Sequence, residues 1–237
     1  MKELKNWDNK TWLSSSAYIN LFNSFLLKKK KLNKNSRILD IGCGRGKIFG
    51  SLSRKLKLSK KPIGIDIVTH KDIDKSIDFK NEDVFEFLKS NQNKFDLIMI
   101  KQTLHFFNKR NRKKLIKICK DNLKKNGILL ILSLKTSNNE IPCFKLMKHK
   151  LDIGLKRDSR MFKSICKILV NFKTDKFRFK VSLTKKKYIQ MLKQRYISCL
   201  VNLNKNQIDK GIKEIESVYN NHISFEDTLE SIQYRKK

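Results

Sequence analysis

Arg37-Ile38-Leu39-Asp40-Ile41-Gly42-Cys43-Gly44-Arg45-Gly46-Lys47 joins a short, almost wholly apolar segment to three glycines at alternate positions. A strand covered on both faces needs such an apolar run. Glycine lets the backbone pass close under a ligand where any Cβ would clash. Lys47 to Leu56 then reads as a helix whose first N–H groups are free to meet that ligand. The stretch is therefore a nucleotide-binding turn, or, more plainly, an ordinary glycine-rich passage from strand to helix. Its spacing narrows the ligand. A dinucleotide turn, G-x-G-x-x-G, wants its third glycine at position 47, which is Lys47 here, so NAD is disfavoured.

Outward from that turn the chain alternates. Pro62 to Ile67 reads as a second buried strand ending in Asp66, placed where a carboxylate can take both ribose hydroxyls of an adenosine. A short strand near Ile77 to Phe79 leads to Asp83, which can either cap the helix that follows or receive an adenine amino group. Phe95 to Ile100 is an apolar strand, with Lys101 to Phe107 at its carboxyl end, where open α/β sheets place chemistry. Asn108 caps a helix carrying Leu115, Ile116, Cys119 and Leu123, with Asn126-Gly127 as its expected stop. Ile128 to Leu134 is a fifth strand. Such a β/α series predicts a parallel sheet with helices on both faces.

In this order Asp40-Ile41-Gly42-Cys43-Gly44-Arg45-Gly46, Gly64-Ile65-Asp66, Glu82-Asp83-Val84 and Phe95-Asp96-Leu97-Ile98 with Leu104-His105 beyond resemble a class I S-adenosylmethionine-dependent methyltransferase over residues 36–135. The resemblance implies an α/β, Rossmann-like, mostly parallel seven-stranded sheet and S-adenosyl-L-methionine as cofactor. It places Asp40, Gly42, Cys43, Gly44, Gly46, Asp66, Ile67, Asp83, Val84 and Lys101 at that cofactor. It also makes His105 a potential proton acceptor, or a histidine that only orients its loop. Lys101 would be an ammonium paired with substrate, or a lysine snorkelling to solvent.

The rest of the chain is similar in layout to small-molecule enzymes of the trans-aconitate methyltransferase kind. Helical spacing over Ile141 to Val170, Tyr188 to Leu200 and Ile208 to Tyr219 would supply a substrate roof. Phe177 to Leu183 and Thr228 to Tyr234 would supply the last two antiparallel strands. Ahead of the core, a helix is expected at about residues 15–30. It either packs on the sheet edge or, with Trp7, Trp12 and Tyr18, forms a lid over the cofactor mouth. The expected organisation is a helical segment over 1–35, a cofactor-binding core over 36–135, and a cap with the last strands over 136–237, all in one continuous domain.

Composition limits the alternatives. At 237 residues and 39% hydrophobic the chain can bury one α/β core. No run approaches the roughly 18 apolar residues of a membrane span, so a cytoplasmic protein is expected. Cys43, Cys119, Cys143, Cys166 and Cys199 include no C-x-x-C pair, which predicts free thiols and no metal site. Cys143, after Pro142, lacks the partners of a cytosine-C5 nucleophile, and Lys101-Gln102-Thr103 is not the signature of amino-directed base methyltransferases.

The net charge of +33 favours a polyanion partner in principle. Yet one alanine, two prolines and an excess of lysine over arginine are also what AT-rich codon usage writes. The expectation is a small, anionic substrate held for in-line methyl transfer. The alternatives are an RNA or protein methyltransferase that uses the basic surface, and a cofactor-binding module without turnover. The sequence does not fix the oligomeric state.

Overall fold

A computed structural model describes residues 11–237; Trp7, expected to join a lid, lies outside them. The elements run α1 (Ser16–Lys29), β1 (Ile38–Ile41), α2 (Lys47–Leu56), β2 (Ile63–Ile65), β3 (Asp78–Lys80), α3 (Val84–Ser90), β4 (Phe95–Lys101), α4 (Lys109–Asp121), β5 (Leu123–Leu134), α5 (Lys145–Ile168), β6 (Phe172–Thr184), α6 (Lys185–Lys193), α7 (Lys205–Val218) and β7 (His222–Arg235). Short 3-10 turns lie at Trp12–Ser14, Leu104–Phe106 and Ser198–Leu200.

The seven strands form one sheet in the order β3-β2-β1-β4-β5-β7-β6. The first five are parallel, and β7 and β6 enter antiparallel. β1 lies at the centre of the parallel part, its Leu39 beside Ile63 of β2 and its Asp40 beside Met99 of β4. All four of its residues are buried, as expected for a strand covered on both faces.

Alternation along the strands divides the core in two. Ile38, Leu97, Met99, Leu130, Phe177, Phe225 and Leu229 point to one face, where α1, α2, α6, α7 and the first half of α5 cover them. Leu39, Ile41, Ile98, Ile100, Leu129 and Ile131 point to the other, under α3, α4 and the second half of α5. Residues 136–237 supply α5, α6, α7 and the last two strands, and β7 pairs directly with β5.

Three expectations are corrected. Asn126-Gly127 does not stop a helix: α4 ends at Asp121 and β5 begins at Leu123. Asn126, with φ +62°, and Gly127 instead form an irregularity inside the strand, and a Cβ on Gly127 would sit 2.7 Å from the Phe95 carbonyl oxygen. The helix expected from Tyr188 to Leu200 ends at Lys193. There the chain turns through Arg195 at φ +53°, which brings Tyr196 inward to meet the Tyr188 hydroxyl at 3.0 Å. Finally, α1 is not confined to the sheet edge. Its Tyr18, Phe22 and Phe25 pack edge-on or tilted against Phe177 of the edge strand β6, while Asn23 reaches Ser51 of α2.

Candidate functional site

The glycine turn is built as its spacing requires. Gly42, Gly44 and Gly46 all have positive φ, which only glycine adopts without strain. The N–H groups of Gly42 and Cys43 both donate to the Ile65 carbonyl, at 2.8 and 3.1 Å, and fasten the turn to β2. The three glycines differ in what surrounds them. A Cβ on Gly42 would meet Thr103 Oγ1 at 2.1 Å and one on Gly46 would meet Ile77 at 2.1 Å, whereas one on Gly44 meets nothing within 4 Å. Gly42 and Gly46 are thus required by packing, and Gly44 faces open space.

Asp66 follows β2. Its carboxylate accepts from Gly44 N at 2.9 Å and from Val68 N at 3.0 Å, with His70 Nε2 at 3.8 Å. Burial alone would raise its pKa, but His70 and the two backbone donors outweigh it and hold the group below the ordinary carboxylate range. Beside it Ile67 is 74% exposed. Asp83 caps α3, accepting from Phe85 N at 2.7 Å, and the next residue, Val84, is buried. A turn open above Gly44, an ionised carboxylate, a bare aliphatic side chain and a second acid along one sheet edge fit a nucleoside.

A second group gathers on the face covered by α1. Asp40 in β1, Lys101 at the end of β4 and Asp227 in β7 each stand two residues beyond Ile38, Met99 and Phe225 of that face, so all three side chains point the same way. Asp40 is 4% exposed and its Oδ1 has no hydrogen-bond partner. Burial pushes its pKa up to about 7; Lys101 opposes the rise and Asp66 adds to it. Asp227, 2% exposed, is likewise raised by burial, against the Trp12 hydrogen bond and Lys101.

The Lys101 ammonium donates to Gln102 Oε1 at 3.1 Å and lies 5.6 and 5.8 Å from the centroids of the Tyr18 and Phe22 rings. Trp12 Nε1 donates to Asp227 Oδ2 at 2.7 Å, and its ring packs edge-on against Tyr196 and Phe225. Arg45, from the glycine turn itself, donates to Ser14 Oγ at 3.0 Å.

The structure therefore brings Lys101 to Asp40 but leaves His105 elsewhere. The charges that act on His105 belong to Arg112 of α4 and to Arg157 and Asp158 of α5, on the opposite face. Burial, with the two arginines, lowers its pKa to about 4, and its Nε2 is buried without a hydrogen bond. Lys101 does not snorkel: its ammonium lies against Tyr18 and Phe22 of α1, on the face that α6, α7 and the first half of α5 also cover. The charges of this chain's own Asp40 and Asp227 act together with Lys101 on that face. Cys43 stands in the turn as a neutral thiol, raised by burial. Asp227 escaped the sequence reading; its one signal is an acid sharing parity with Phe225 and Leu229 in an otherwise inward-facing row.

Residues 38–127 match the protein family described as a methyltransferase domain. The chain carries a class I S-adenosylmethionine-dependent methyltransferase domain. No curated protein matches its sequence. Among solved structures it resembles the plantazolicin methyltransferase BpumL in complex with a pentazolic desmethylPZN analog and SAH, at TM-score 0.54 and 16% identity over 98% of this chain and 89% of that one. It also resembles a SAM-dependent methyltransferase from Archaeoglobus fulgidus, at TM-score 0.51 and 21% identity over 92% and 94% of the two chains. These likenesses show the fold. The methyltransferase uses S-adenosylmethionine, and no helix of its described residues is long and apolar enough to cross a membrane. Among those residues no group of three or more metal-ligating side chains gathers, and the five cysteines are free.

Proposed function

We propose that this methyltransferase acts on a small molecule bound where Asp40, Lys101 and Asp227 converge. The cofactor would lie along Gly44, Asp66, Ile67 and Asp83. The observation that carries this reading is the cover over that edge. Trp12 is fastened to Asp227 and packed on Tyr196 and Phe225, while Tyr18 lies against the Lys101 ammonium. A small molecule needs only a gap beneath such a roof, whereas a folded macromolecule would have to strip it away. The layout, with helices around the two antiparallel strands, is the one that suggested trans-aconitate methyltransferase relatives. BpumL, of the same layout, is described with a desmethylPZN analog bound.

S-adenosylmethionine, when bound, supplies the methyl electrophile. This chain's residues supply position and dryness, which can account for about 7 to 11 kcal/mol of barrier reduction. Asp66 and Asp83 would orient the nucleoside. Of the two residues singled out for catalysis, Lys101 lies at the covered edge and His105 faces away from it. The charge of the substrate is left to experiment.

The test is to incubate the protein with methyl-labelled cofactor and a cell extract divided into metabolite, RNA and protein fractions. Label is expected among the metabolites. Label confined to RNA or protein would refute the reading.

A further inference from the structure

Two helical segments on one face of the sheet are rich in cations and poor in acids. α4 carries no acid before its final residue, Asp121, and the second half of α5, residues 153–168, carries only Asp158, which is buried and paired with Arg157. Both helices lie on one face of the sheet, where Leu115, Ile116 and Cys119 of α4 and Met161 and Ile165 of α5 share a core with Leu129, Ile131 and Ile232.

Their outward sides present two stripes. Arg110, Lys113 and Lys117 recur along α4, and Lys156, Arg160, Lys163 and Lys167 along α5, all exposed. The three- and four-residue intervals space these cations about 4.5 to 6 Å apart along each axis. On the outer side of α4 the neighbouring helix α3 brings Glu86 and Lys89, which cancel.

Two of the chain's ten arginines, Arg110 and Arg160, stand in these stripes, while Arg112 donates to the Phe107 carbonyl and Arg157 pairs with Asp158. Arginine is also the cation that engages phosphate with two donors at once. At the head of the stripes, where β4 leaves the sheet, the Phe106 ring is 51% exposed and packs on His105 with centroids 4.1 Å apart. A bare ring at the end of a basic track suits an unstacked base more than a duplex, whose bases are hidden.

We propose that the outer faces of α4 and the second half of α5 form a docking surface for single-stranded nucleic acid, with Phe106 as a stacking platform at its head. The surface goes beyond methyl transfer and does not depend on what the covered edge methylates. Cations in two rows track a flexible phosphate backbone without reading its sequence, so binding falls steeply with salt.

The experiment follows fluorescence anisotropy of a labelled oligo(U) RNA of about 20 nucleotides with the full chain, from roughly 50 to 200 mM salt. Six phosphate contacts would give a slope of log Kobs against log salt near −4, at about −0.7 per contact. The variant R110E/K113E/R160E is expected to weaken binding at least about tenfold and to reduce the slope by about 2. K186E/K187E/K193E makes the same change of charge on exposed lysines of α6, on the opposite face of the sheet, and is expected to stay within about twofold of the parent. Phe106→Ala should weaken the oligonucleotide with the slope unchanged. Circular dichroism and cofactor binding verify that each variant is folded. Equal weakening by the two triple variants would refute the docking surface, since only net charge would then matter. No binding at the lowest salt, or tighter binding of an RNA duplex of equal length, would refute it as well.

Discussion

Replacing Asp40 by asparagine tests the buried cluster through its proton. The carboxyl is 4% exposed, and burial raises its pKa from 3.8 to about 7 despite the nearby Lys101. Between those two values the folded protein holds a proton that the unfolded chain has released. The stability this group contributes is therefore complete below about pH 4 and is lost as the pH rises through about 7. At about 1.4 kcal/mol per pH unit, the raised value corresponds to about 4 kcal/mol across the window.

His105 slopes the other way. Its pKa is lowered from 6.5 to about 4, so its contribution is present above pH 6.5 and is lost on acidification toward 4. Asp227, also raised by burial, slopes with Asp40, so the parent profile sums all three groups and only the variant isolates Asp40. Urea unfolding at a series of pH values should show Asp40→Asn gaining stability relative to the parent by about 4 kcal/mol between pH 4 and 8. A difference that does not change with pH would mean that Asp40 titrates normally and that the cluster is wetter than its burial indicates.

Further outcomes follow from single contacts. Gly44→Ala should cost only about 1 to 2 kcal/mol of stability, since its Cβ meets nothing within 4 Å and only the positive φ is strained, while S-adenosylmethionine affinity by titration calorimetry falls at least about tenfold. Gly42→Ala, whose Cβ would strike Thr103, should lose more stability in urea than Gly44→Ala does. Trp12→Phe removes the donor to buried Asp227 and should cost about 1 to 3 kcal/mol; no loss would show that the carboxyl is satisfied otherwise. Tyr18→Phe deletes a buried hydroxyl that has no partner and should leave stability unchanged or slightly raised, so a cost above about 1 kcal/mol would reveal a hidden acceptor.

What could be read in advance was local. The apolar run before Gly42, the acids after β2 and before α3, and the cap at Asn108 are dictated by neighbours a few residues away, and they lie where the sequence puts them. Asn126-Gly127 misled because a left-handed asparagine before glycine ends helices and also kinks strands. Only the pairing of Leu123 with Phe95 decides between those outcomes. The surroundings of Lys101 were hidden for a related reason. Its position at a strand end was legible, but Asp227, whose charge shares its face, lies in a strand that enters antiparallel more than a hundred residues later, with a register that no local pattern specifies.

The site's two ends consequently have different origins in the chain. Every residue fitted to the nucleoside, from Gly44 to Asp83, falls within the family-matched 38–127, and the glycine turn is fastened by backbone bonds to β2 in the same stretch. Trp12, Tyr18 and Asp227 come from outside it, and the hydrogen bond from Trp12 to Asp227 joins positions 215 residues apart. The covered edge thus forms only when the first helix and the last strand have both settled on the sheet. A stretch that must hold one cofactor is constrained in every member of a family, whereas the segments that close over the substrate are free to differ. The match ends at residue 127, inside β5, and the segments beyond it are those for which the sequence carried layout but no motif.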